Sequence, residues 1–346
     1  MVISNGGEGD DPVLPAAGGG VCSPLSRPRP RFRGTIAATR PPGRGTGRHG
    51  DRTAGSEAEP EAGRAVTVTG RVRGRAAERA AASTGGTNSP EPRIAAGDAH
   101  VWMADPDGLD RNGLLGGYRA VLSPRERDRA AGFRSEADRL AFEAAHGLAR
   151  AALTWCVPAV AAGAWRFTTT PHGRPEIADQ PPHRPLRFNI SHTAGLVACV
   201  VTLGAACGVD VERVHRRADP LRLGRRVCSP AEYARLVPLD DLDARADLFF
   251  RYWTLKEAYV KARGYGMTLP MNQCDVERAA SVPAGAPLAV EGRNVARFGP
   301  QLRDDPARWR FAQWRPGPRH LLALAVRREP GLPCAVVVHP APPPVP

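Results

Sequence analysis

Apolar residues are spread unevenly along the chain, and their density divides it into segments. Residues 1–97 contain 18 of the 37 glycines and 10 prolines, but only 12 Ile, Val, Leu or Phe residues. So few apolar side chains cannot offset the entropy lost on ordering, so this segment is expected to be disordered. It is either a flexible extension or the product of a start site assigned too far upstream. From Asp98 onward, about 240 residues carry a dense, periodic pattern, enough for a sizeable core.

The pattern after Asp98 predicts an α+β unit. Ala99–Ala104 is typical of a short strand, and Ser123-Pro124-Arg125-Glu126 has the form of a helix capping box. Leu140, Ala144, Leu148 and Ala152 repeat on one face and predict a helix over about Glu136–Thr154. Strand-like runs follow at Trp165–Thr170, Leu186–Ile190 and Leu196–Leu203.

The same order of elements recurs further along the chain. A strand is predicted at Cys207–Val211, and a second capping box, Ser229-Pro230-Ala231-Glu232, lies 106 residues after the first. A helix at about Ala246–Arg263 and strands near Trp309–Trp314 and Leu321–Val326 follow. The repetition predicts two pseudo-symmetric α+β halves, 98–205 and 206–338, with a ligand cleft between them. The proline-rich tail 339–346 is expected to be unstructured.

Charge and cysteine content narrow the class of protein. The net charge of +13 favours anionic partners, namely nucleic acid, phosphorylated cofactors or an acidic protein. Seven scattered cysteines without CxxC pairs indicate reduced thiols and a cytoplasmic protein. No run of apolar residues has the length of a membrane span. Of the 48 basic residues only Lys256 and Lys261 are lysine, which indicates a site that needs a compact ammonium, unless their clustering is chance.

Candidate chemistry is concentrated in two segments of the second half. On the strand Gly208-Val209-Asp210-Val211-Glu212 the two acids share a face. Paired carboxylates without Cys or His suit a hard cation such as Mg²⁺, although a solvated strand face is the simpler alternative. On the following helix Trp253, Glu257 and Lys261 are spaced four apart and line one face. Either Glu257 and Lys261 form a surface ion pair, or they meet a metal or phosphate.

Two further motifs belong to the first half. Phe188-Asn189-Ile190-Ser191-His192-Thr193 ends a strand in polar groups that could cradle a phosphate. A hydrolase triad is not favoured, because adjacent Ser and His side chains diverge on a strand and no G-x-S-x-G motif is present. His172-Gly173-Arg174-Pro175 is typical of a turn.

Together these motifs resemble the 4′-phosphopantetheinyl transferases of the surfactin-synthetase-activating type. The resemblance covers about residues 98–330 and rests on His172–Pro175, Phe188–Thr193, Gly208–Glu212 and Trp253–Lys261 with Gly264-Tyr265-Gly266, in this order. It implies two pseudo-symmetric halves with coenzyme A between them. It also implies Mg²⁺-dependent transfer of 4′-phosphopantetheine from coenzyme A to a carrier-protein serine, releasing 3′,5′-ADP.

The resemblance also implies roles for individual residues. Asp210, Glu212 and Glu257 would hold Mg²⁺, Glu257 would act as the base for the serine hydroxyl, and Lys261 would neutralise pyrophosphate charge. The residues implied to contact coenzyme A are Arg139, Arg174, Ser191, His192, Lys256 and Lys261. Family members more often have Lys than Arg at the position of Arg174, and they have no counterpart of residues 1–97.

The expected partner is an acyl or peptidyl carrier protein of fatty acid, polyketide or non-ribosomal peptide synthesis. A site built within one chain favours a monomer. Two alternatives stay open at this level. One is an Arg/Gly-rich nucleic-acid-binding module, although no RNA-binding motif or groove-reading helix is present. The other is an inactive coenzyme A-binding regulator, which retention of all three carboxylates and both lysines disfavours.

Overall fold

Helices and strands are mixed along the chain, as the predicted α+β class requires. The computed structural model describes residues 92–180, 185–214, 219–277, 295–332 and 334–345. These residues belong to one of two units of the chain, and the other unit, residues 22–82, lies outside the described part. The helices are α1 (Pro106–Arg111), α2 (Leu114–Ala120), α3 (Pro124–Ala131), α4 (Glu136–Cys156), α5 (Pro220–Val227), α6 (Pro230–Leu236) and α7 (Leu242–Arg263). The strands are β1 (Ala99–Ala104), β2 (Phe167–Thr169), β3 (Pro175–Ile177), β4 (Leu186–Thr193), β5 (Leu196–Leu203), β6 (Cys207–Arg213), β7 (Cys274–Glu277), β8 (Val295–Phe298), β9 (Trp309–Gly317), β10 (His320–Arg327) and β11 (Val336–Val338).

A mixed four-stranded sheet and an antiparallel three-stranded sheet form the framework, and side chains join them. One sheet has the order β11-β1-β5-β4, in which β11 runs parallel to β1, and the other has the order β6-β10-β9. At the seam between β4 and β6, Asn189 Oδ1 accepts the N–H of Val209 at 2.9 Å. Ser191 Oγ accepts the N–H of Val211 at 3.2 Å. The two side chains therefore satisfy strand-edge donors that would otherwise be buried without partners.

Both capping boxes are confirmed, and each glutamate has a second role. The Ser123 and Ser229 side chains accept from the N–H of Glu126 and Glu232, whose carboxylates accept in return from the serine N–H groups. Both glutamates are fully buried. Glu126 pairs with Arg150 on α4 at 2.8 Å, and Glu232 pairs with Lys256 on α7 at 2.6 Å. Each long helix is thus fixed to the short helix before it by a buried ion pair.

Helix α7 packs against β6 at backbone distance. A Cβ added at Gly208 would lie 2.1 Å from the carbonyl oxygen of Ala258 and 2.5 Å from the amide nitrogen of Ala262. No side chain fits there, so glycine is required for the close approach. The opposite face of β6 carries Val209 and Val211, which are buried in the core between the two sheets.

The termini of the described part differ from expectation. Ile94, within the segment predicted to be disordered, is buried in the first-half core, and the N–H of Arg93 donates to the carbonyl of Cys156 at 2.8 Å. Residues before 92 lie outside the described part. The tail from 339 is packed rather than loose, because His339 stacks on Trp102 with ring centroids 4.2 Å apart. Tyr118 also donates its hydroxyl to the carbonyl of Pro343 at 2.8 Å.

Other elements also departed from the sequence pattern. The short helices α1, α2 and α5 and the hairpin strands β3, β7 and β8 were not predicted, because segments of this length carry little periodicity. Helix α7 begins four residues earlier than expected, where Asp241 provides the N-cap. Within the described residues, no helix combines the length and the hydropathy that crossing a bilayer would take.

The α7–β6 contact predicts a sharp difference between two glycine substitutions. Gly208→Ala should destabilise the protein by roughly 1–3 kcal/mol or more, because backbone atoms of α7 must move to admit the methyl group. Gly116→Ala on α2, where a Cβ meets nothing within 4 Å, should be neutral or stabilising. Urea unfolding of both variants measures this. Equal stability of the two would contradict the packing described for Gly208.

Candidate active site

The candidate site lies where one face of β6 meets helix α7. Asp210 and Glu212 are two residues apart on β6 and point to the same side, and both are buried. Glu257 and Lys261 are one helical turn apart on α7. Because α7 crosses β6 closely at Gly208, their charged ends reach the strand carboxylates.

Lys261 connects the strand carboxylate to the first half of the fold. Its ammonium donates to Asp210 Oδ1 at 2.7 Å and to Ser191 Oγ at 2.9 Å. Ser191 Oγ also donates to Asp210 Oδ1, at 3.2 Å. The second oxygen, Asp210 Oδ2, is buried and has no hydrogen-bond partner in the described part of the chain. An unpartnered buried carboxylate oxygen is costly, so this atom is suited to another positive group.

The carboxyl groups of Glu212 and Glu257 lie in an environment that disfavours their ionised forms. Glu212 Oε1 accepts the indole N–H of Trp253 at 2.8 Å. Burial, followed by the charge of Asp210, raises the pKa of Glu212 to about 9 and that of Glu257 to about 7. Burial alone would lower the pKa of Lys261, but Asp210 and Glu257 raise it above its usual value. The cluster therefore has more acidic groups than its one ammonium can balance.

The carboxylate oxygens of the cluster suit a hard divalent cation, but too few of them converge to enclose the ion completely. Among the described residues, no three His, Cys, Asp or Glu side chains converge closely enough to enclose a metal by themselves. Lys261 occupies one oxygen of Asp210, and Trp253 occupies one oxygen of Glu212. Mg²⁺ usually binds through only one or two carboxylates and takes its other ligands from water and substrate phosphates. The free Asp210 Oδ2, with Glu212 and Glu257 nearby, fits such a partial site.

His192 stands at the edge of this cluster. Its Nε2 is buried and has no hydrogen-bond partner among the described residues. Burial, followed by the charge of Lys261, lowers the pKa of His192 to about 4, so the ring is neutral near pH 7. The side chain lines a cavity of about 650 Å³ together with Asp138 of the first half and Arg213 of the second. A ligand in that cavity could bond to the imidazole nitrogen.

Arg174 bonds to the backbone where helix α7 ends and strand β6 begins. Its guanidinium donates to the backbone carbonyls of Lys261, Ala262 at 2.7 Å and Cys207 at 3.1 Å, and it pairs with Glu176 at 3.1 Å. These carbonyls belong to the end of α7 and the start of β6. Arg174 therefore closes the C-terminus of the helix, and its contact with coenzyme A stays a prediction.

Lys256 is also committed to the fold. Its ammonium donates to the carbonyls of Val227 at 2.8 Å and Met271 at 2.9 Å, to the carbonyl of Cys274, and pairs with Glu232. The side chain is fully buried. Four oxygens surround three N–H donors, so none is left for a cofactor. The structure does not bring Lys256 to the cluster.

Arg139 lies on the surface at the start of α4. Its recorded partner is Glu136, three residues earlier, and neither side chain is buried. Surface pairs of this kind contribute little to stability. The structure does not bring Arg139 into contact with the cluster, so its phosphate contact stays a prediction.

Two residues of the site were missed at the sequence level. Asn189 bonds the backbone of β6, and Trp253 bonds Glu212. Both lie inside motifs that were singled out, and Trp253 shares a helix face with Glu257 and Lys261. The spacing on α7 was therefore the available signal for Trp253. Asn189 had none, because its partner is 20 residues away on a different sheet.

The family model and the similar curated proteins point to the same family. The model of the 4′-phosphopantetheinyl transferase superfamily matches residues 206–324. The chain is 31% identical over 195 residues to the 4′-phosphopantetheinyl transferase HetI of Nostoc sp. (strain PCC 7120), covering 56% of this chain and 80% of that protein. It is 33% identical over 111 residues to the 4′-phosphopantetheinyl transferase Sfp of Bacillus subtilis (strain 168), covering 32% and 46%. The crystal structure of Thermotoga maritima holo-[acyl-carrier-protein] synthase overlaps 36% of this chain and 63% of its own at a TM-score of 0.26 and 19% identity.

The raised pKa of Glu257 predicts a pH-dependent stability for the metal-free protein. Since its pKa is about 7 in the folded state and 4.5 ordinarily, the folded state holds a proton that the unfolded state has lost. Stability from this group is therefore lost as pH rises from about 4.5 to 7. Glu257→Gln should be more stable than the wild type at pH 8, by roughly 1–3 kcal/mol.

The measurement is urea unfolding in EDTA at pH 5 and pH 8. The advantage of the Gln variant should shrink or vanish at pH 5, where the wild-type carboxyl is protonated. A difference of the same size at both pH values would show that Glu257 does not titrate in this range.

Proposed function

The chain belongs to the 4′-phosphopantetheinyl transferase superfamily, and on that premise we propose that the β6–α7 cluster is its catalytic centre. As a member, it transfers the 4′-phosphopantetheine of coenzyme A to a serine hydroxyl of a carrier protein. The observation that carries the proposal is the meeting of Asp210, Glu212, Glu257 and Lys261 beside Ser191. Two strands and a helix bring them together from distant parts of the sequence.

Asp210, Glu212 and Glu257 would hold a divalent cation, Mg²⁺ in the ordinary case. Such a cation, when bound, withdraws charge from the pyrophosphate oxygens of coenzyme A. Asp210 contributes its free Oδ2, and a nearby dication favours the ionised forms of Glu212 and Glu257. Raised pKa values in a buried group of carboxyls support the proposal that these groups share a cation.

Lys261 and His192 would bind the phosphates of coenzyme A. The Lys261 ammonium is fixed by Asp210 and Ser191, so its direction is set before substrate arrives. His192 offers a buried, neutral imidazole at the cavity next to the cluster. Ser191 acts through Lys261, because its hydroxyl is already used by Lys261, Asp210 and Val211.

Glu257 would accept the proton of the incoming serine. Glu257 lies one helical turn from Lys261, and a bound cation would keep its carboxylate ionised and able to accept a proton. The serine oxygen then bonds to the β-phosphorus of coenzyme A, the bond from that phosphorus to the bridging oxygen breaks, and 3′,5′-ADP leaves. Lys261 is positioned to stabilise the charge that grows on the departing phosphate.

We further propose that the two halves, 98–205 and 206–338, are duplicates. Strand orders β1-β5-β4 and β6-β10-β9 correspond one to one, and each half has its own two-stranded hairpin, β2–β3 or β7–β8. The buried pairs Glu126–Arg150 and Glu232–Lys256 support this, since each cation follows its glutamate by 24 residues. Lys256 is then the counterpart of Arg150, a structural residue.

The proposed partners are acyl or peptidyl carrier proteins of fatty acid, polyketide or non-ribosomal peptide synthesis. A basic chain suits an acidic protein partner. One chain supplies every residue of the proposed site, which supports activity as a monomer.

A transfer assay tests the proposal and its metal. Purified protein, coenzyme A, Mg²⁺ and an apo carrier protein should yield a carrier heavier by one phosphopantetheine, read by mass spectrometry, with 3′,5′-ADP as the second product. Excess EDTA should abolish the product, and Mg²⁺ or Mn²⁺ should restore it. Full activity in EDTA would rule out the divalent-cation role of Asp210, Glu212 and Glu257.

Substitutions on α7 separate chemistry from folding. Glu257→Gln should lower transfer by ~10²–10⁴-fold, as expected for a lost general base, while the fold survives. Lys261→Arg keeps the charge but replaces a compact ammonium by a longer planar fork, so transfer should fall clearly with little change in melting temperature. Arg226→Lys on the exposed face of α5 is the control for such swaps. Wild-type kinetics for Lys261→Arg would mean that Lys261 serves only as the ion-pair partner of Asp210.

A further inference from the structure

Two hairpin turns form part of the wall of the cavity that His192 lines. In one turn, Ala194 and Gly195 connect β4 to β5. In the other, Pro318 and Arg319 connect β9 to β10. Residues of both turns line the cavity of about 650 Å³. The turns belong to different sheets, so the shape of this cavity depends on how the two hairpins are held against each other.

His320, the first residue of β10, connects the two turns. Its Nε2 lies 2.9 Å from the carbonyl oxygen of Ala194. A carbonyl oxygen can only accept a hydrogen bond, so Nε2 carries the hydrogen and donates it. A Cβ added at Gly195 would lie 3.6 Å from Cε1 of the ring, and one added at Gly317 would lie 3.7 Å from Nδ1. The half-buried imidazole is therefore packed between the two turns.

The bond from His320 is one of two that attach the short segment carrying His192 to the other sheet. Before His192, the hydroxyl of Ser191 accepts the N–H of Val211 on β6 at 3.2 Å. After His192, the carbonyl of Ala194 accepts the N–H of His320 on β10. His192 therefore lies between two residues that are each bonded to the second sheet. Without the His320 side chain, one end of this segment would lose its attachment.

The direction of the His192 imidazole depends on the backbone that carries it. Its Nε2 is buried and has no hydrogen-bond partner among the residues that the structure describes, so no such bond holds this nitrogen in place. A binding group on a fixed backbone is preorganised, whereas a group on a mobile backbone has to be ordered when the ligand binds, and affinity is lost. The attachment of the turn therefore bears on what His192 can bind.

We propose that His320 is a positioning residue for the binding of coenzyme A. It holds the β4–β5 turn through the carbonyl of Ala194 and thereby fixes the direction of the His192 imidazole. The inference rests on the proposed function, in which His192 binds a phosphate of coenzyme A. His320 does not belong to the β6–α7 cluster, so its loss should weaken the binding of coenzyme A and spare the chemical step.

The first test is calorimetric titration of the full-length protein with coenzyme A in the presence of Mg²⁺. His320→Leu removes the donor but keeps an apolar side chain between the turns, and it should weaken binding roughly three- to tenfold, the range expected for one hydrogen bond. His320→Gln carries an amide N–H that can donate to the same carbonyl, so it should bind almost as tightly as the wild type. Thermal melting followed by circular dichroism checks that both variants are folded.

A double-mutant cycle shows whether His320 acts through His192. His192→Ala alone should weaken the binding of coenzyme A. Adding His320→Leu to that variant should cause little further loss, because the side chain that His320 positions is already gone. A merely structural role of His320 would weaken binding by the same factor in both backgrounds. Steady-state kinetics should agree, with a raised KM for coenzyme A in His320→Leu and a kcat close to that of the wild type.

Three results would each overturn the positioning role. They are wild-type affinity in His320→Leu, failure of His320→Gln to restore binding, and equal losses in the two backgrounds of the cycle. Absence of coenzyme A binding by the wild type would overturn it as well. The transfer reaction is judged separately, because these titrations need no carrier protein. A wild type that binds coenzyme A but modifies no carrier would contradict the proposed function, and the cycle would still decide the role of His320.

Discussion

The close approach of α7 to β6 is the constraint on which the site depends. It exists because residue 208 is glycine and a helix backbone occupies the space of the missing side chain. At this separation a lysine on the helix reaches a carboxylate on the strand at 2.7 Å. A larger residue at 208 would push the helix away, and the three carboxyl groups and the ammonium would no longer share one environment.

In that environment, three carboxyl groups surround a single ammonium group. Burial and the charge of Asp210 raise the pKa values of Glu212 and Glu257. The protonated forms of these two carboxyl groups are therefore favoured. In the proposed function, a divalent cation and a pyrophosphate would restore the charge balance that Lys261 alone does not provide. Strongly shifted pKa values of this kind are typical of functional sites.

Lys256 and Lys261 lie in different surroundings, although both are on helix α7. Both are surrounded by oxygens, but Lys256 has four acceptors fixed by the fold, and Lys261 faces a carboxylate with one free oxygen. Their scarcity in the sequence suggested sites that need a compact ammonium, which stays a prediction. It could not distinguish a buried support from a functional group. The distinction depends on Glu232, Val227 and Cys274, whose approach to Lys256 no spacing reveals.

Sequence patterns thus predicted the contacts between residues close together in the sequence, and they missed the contacts between residues that only the fold brings together. The shared face of Asp210 and Glu212 follows from strand alternation, and the capping boxes follow from four consecutive residues. The backbone contacts of Arg174 were not predicted, because their carbonyl acceptors lie up to 88 residues away in the sequence. The tail 339–346 was expected to be unstructured because it is rich in proline. Composition alone does not reveal that His339 stacks on Trp102.

The central claim, that Asp210 and its neighbours form a cation site completed by coenzyme A, is tested most directly by binding of Mn²⁺. Electron paramagnetic resonance should show that coenzyme A strongly tightens binding of one Mn²⁺ per chain. Asp210→Asn, which keeps shape but removes the charge beside the free Oδ2, should abolish that effect while the protein stays folded. Equal, coenzyme-dependent Mn²⁺ binding by wild type and Asp210→Asn would contradict the account.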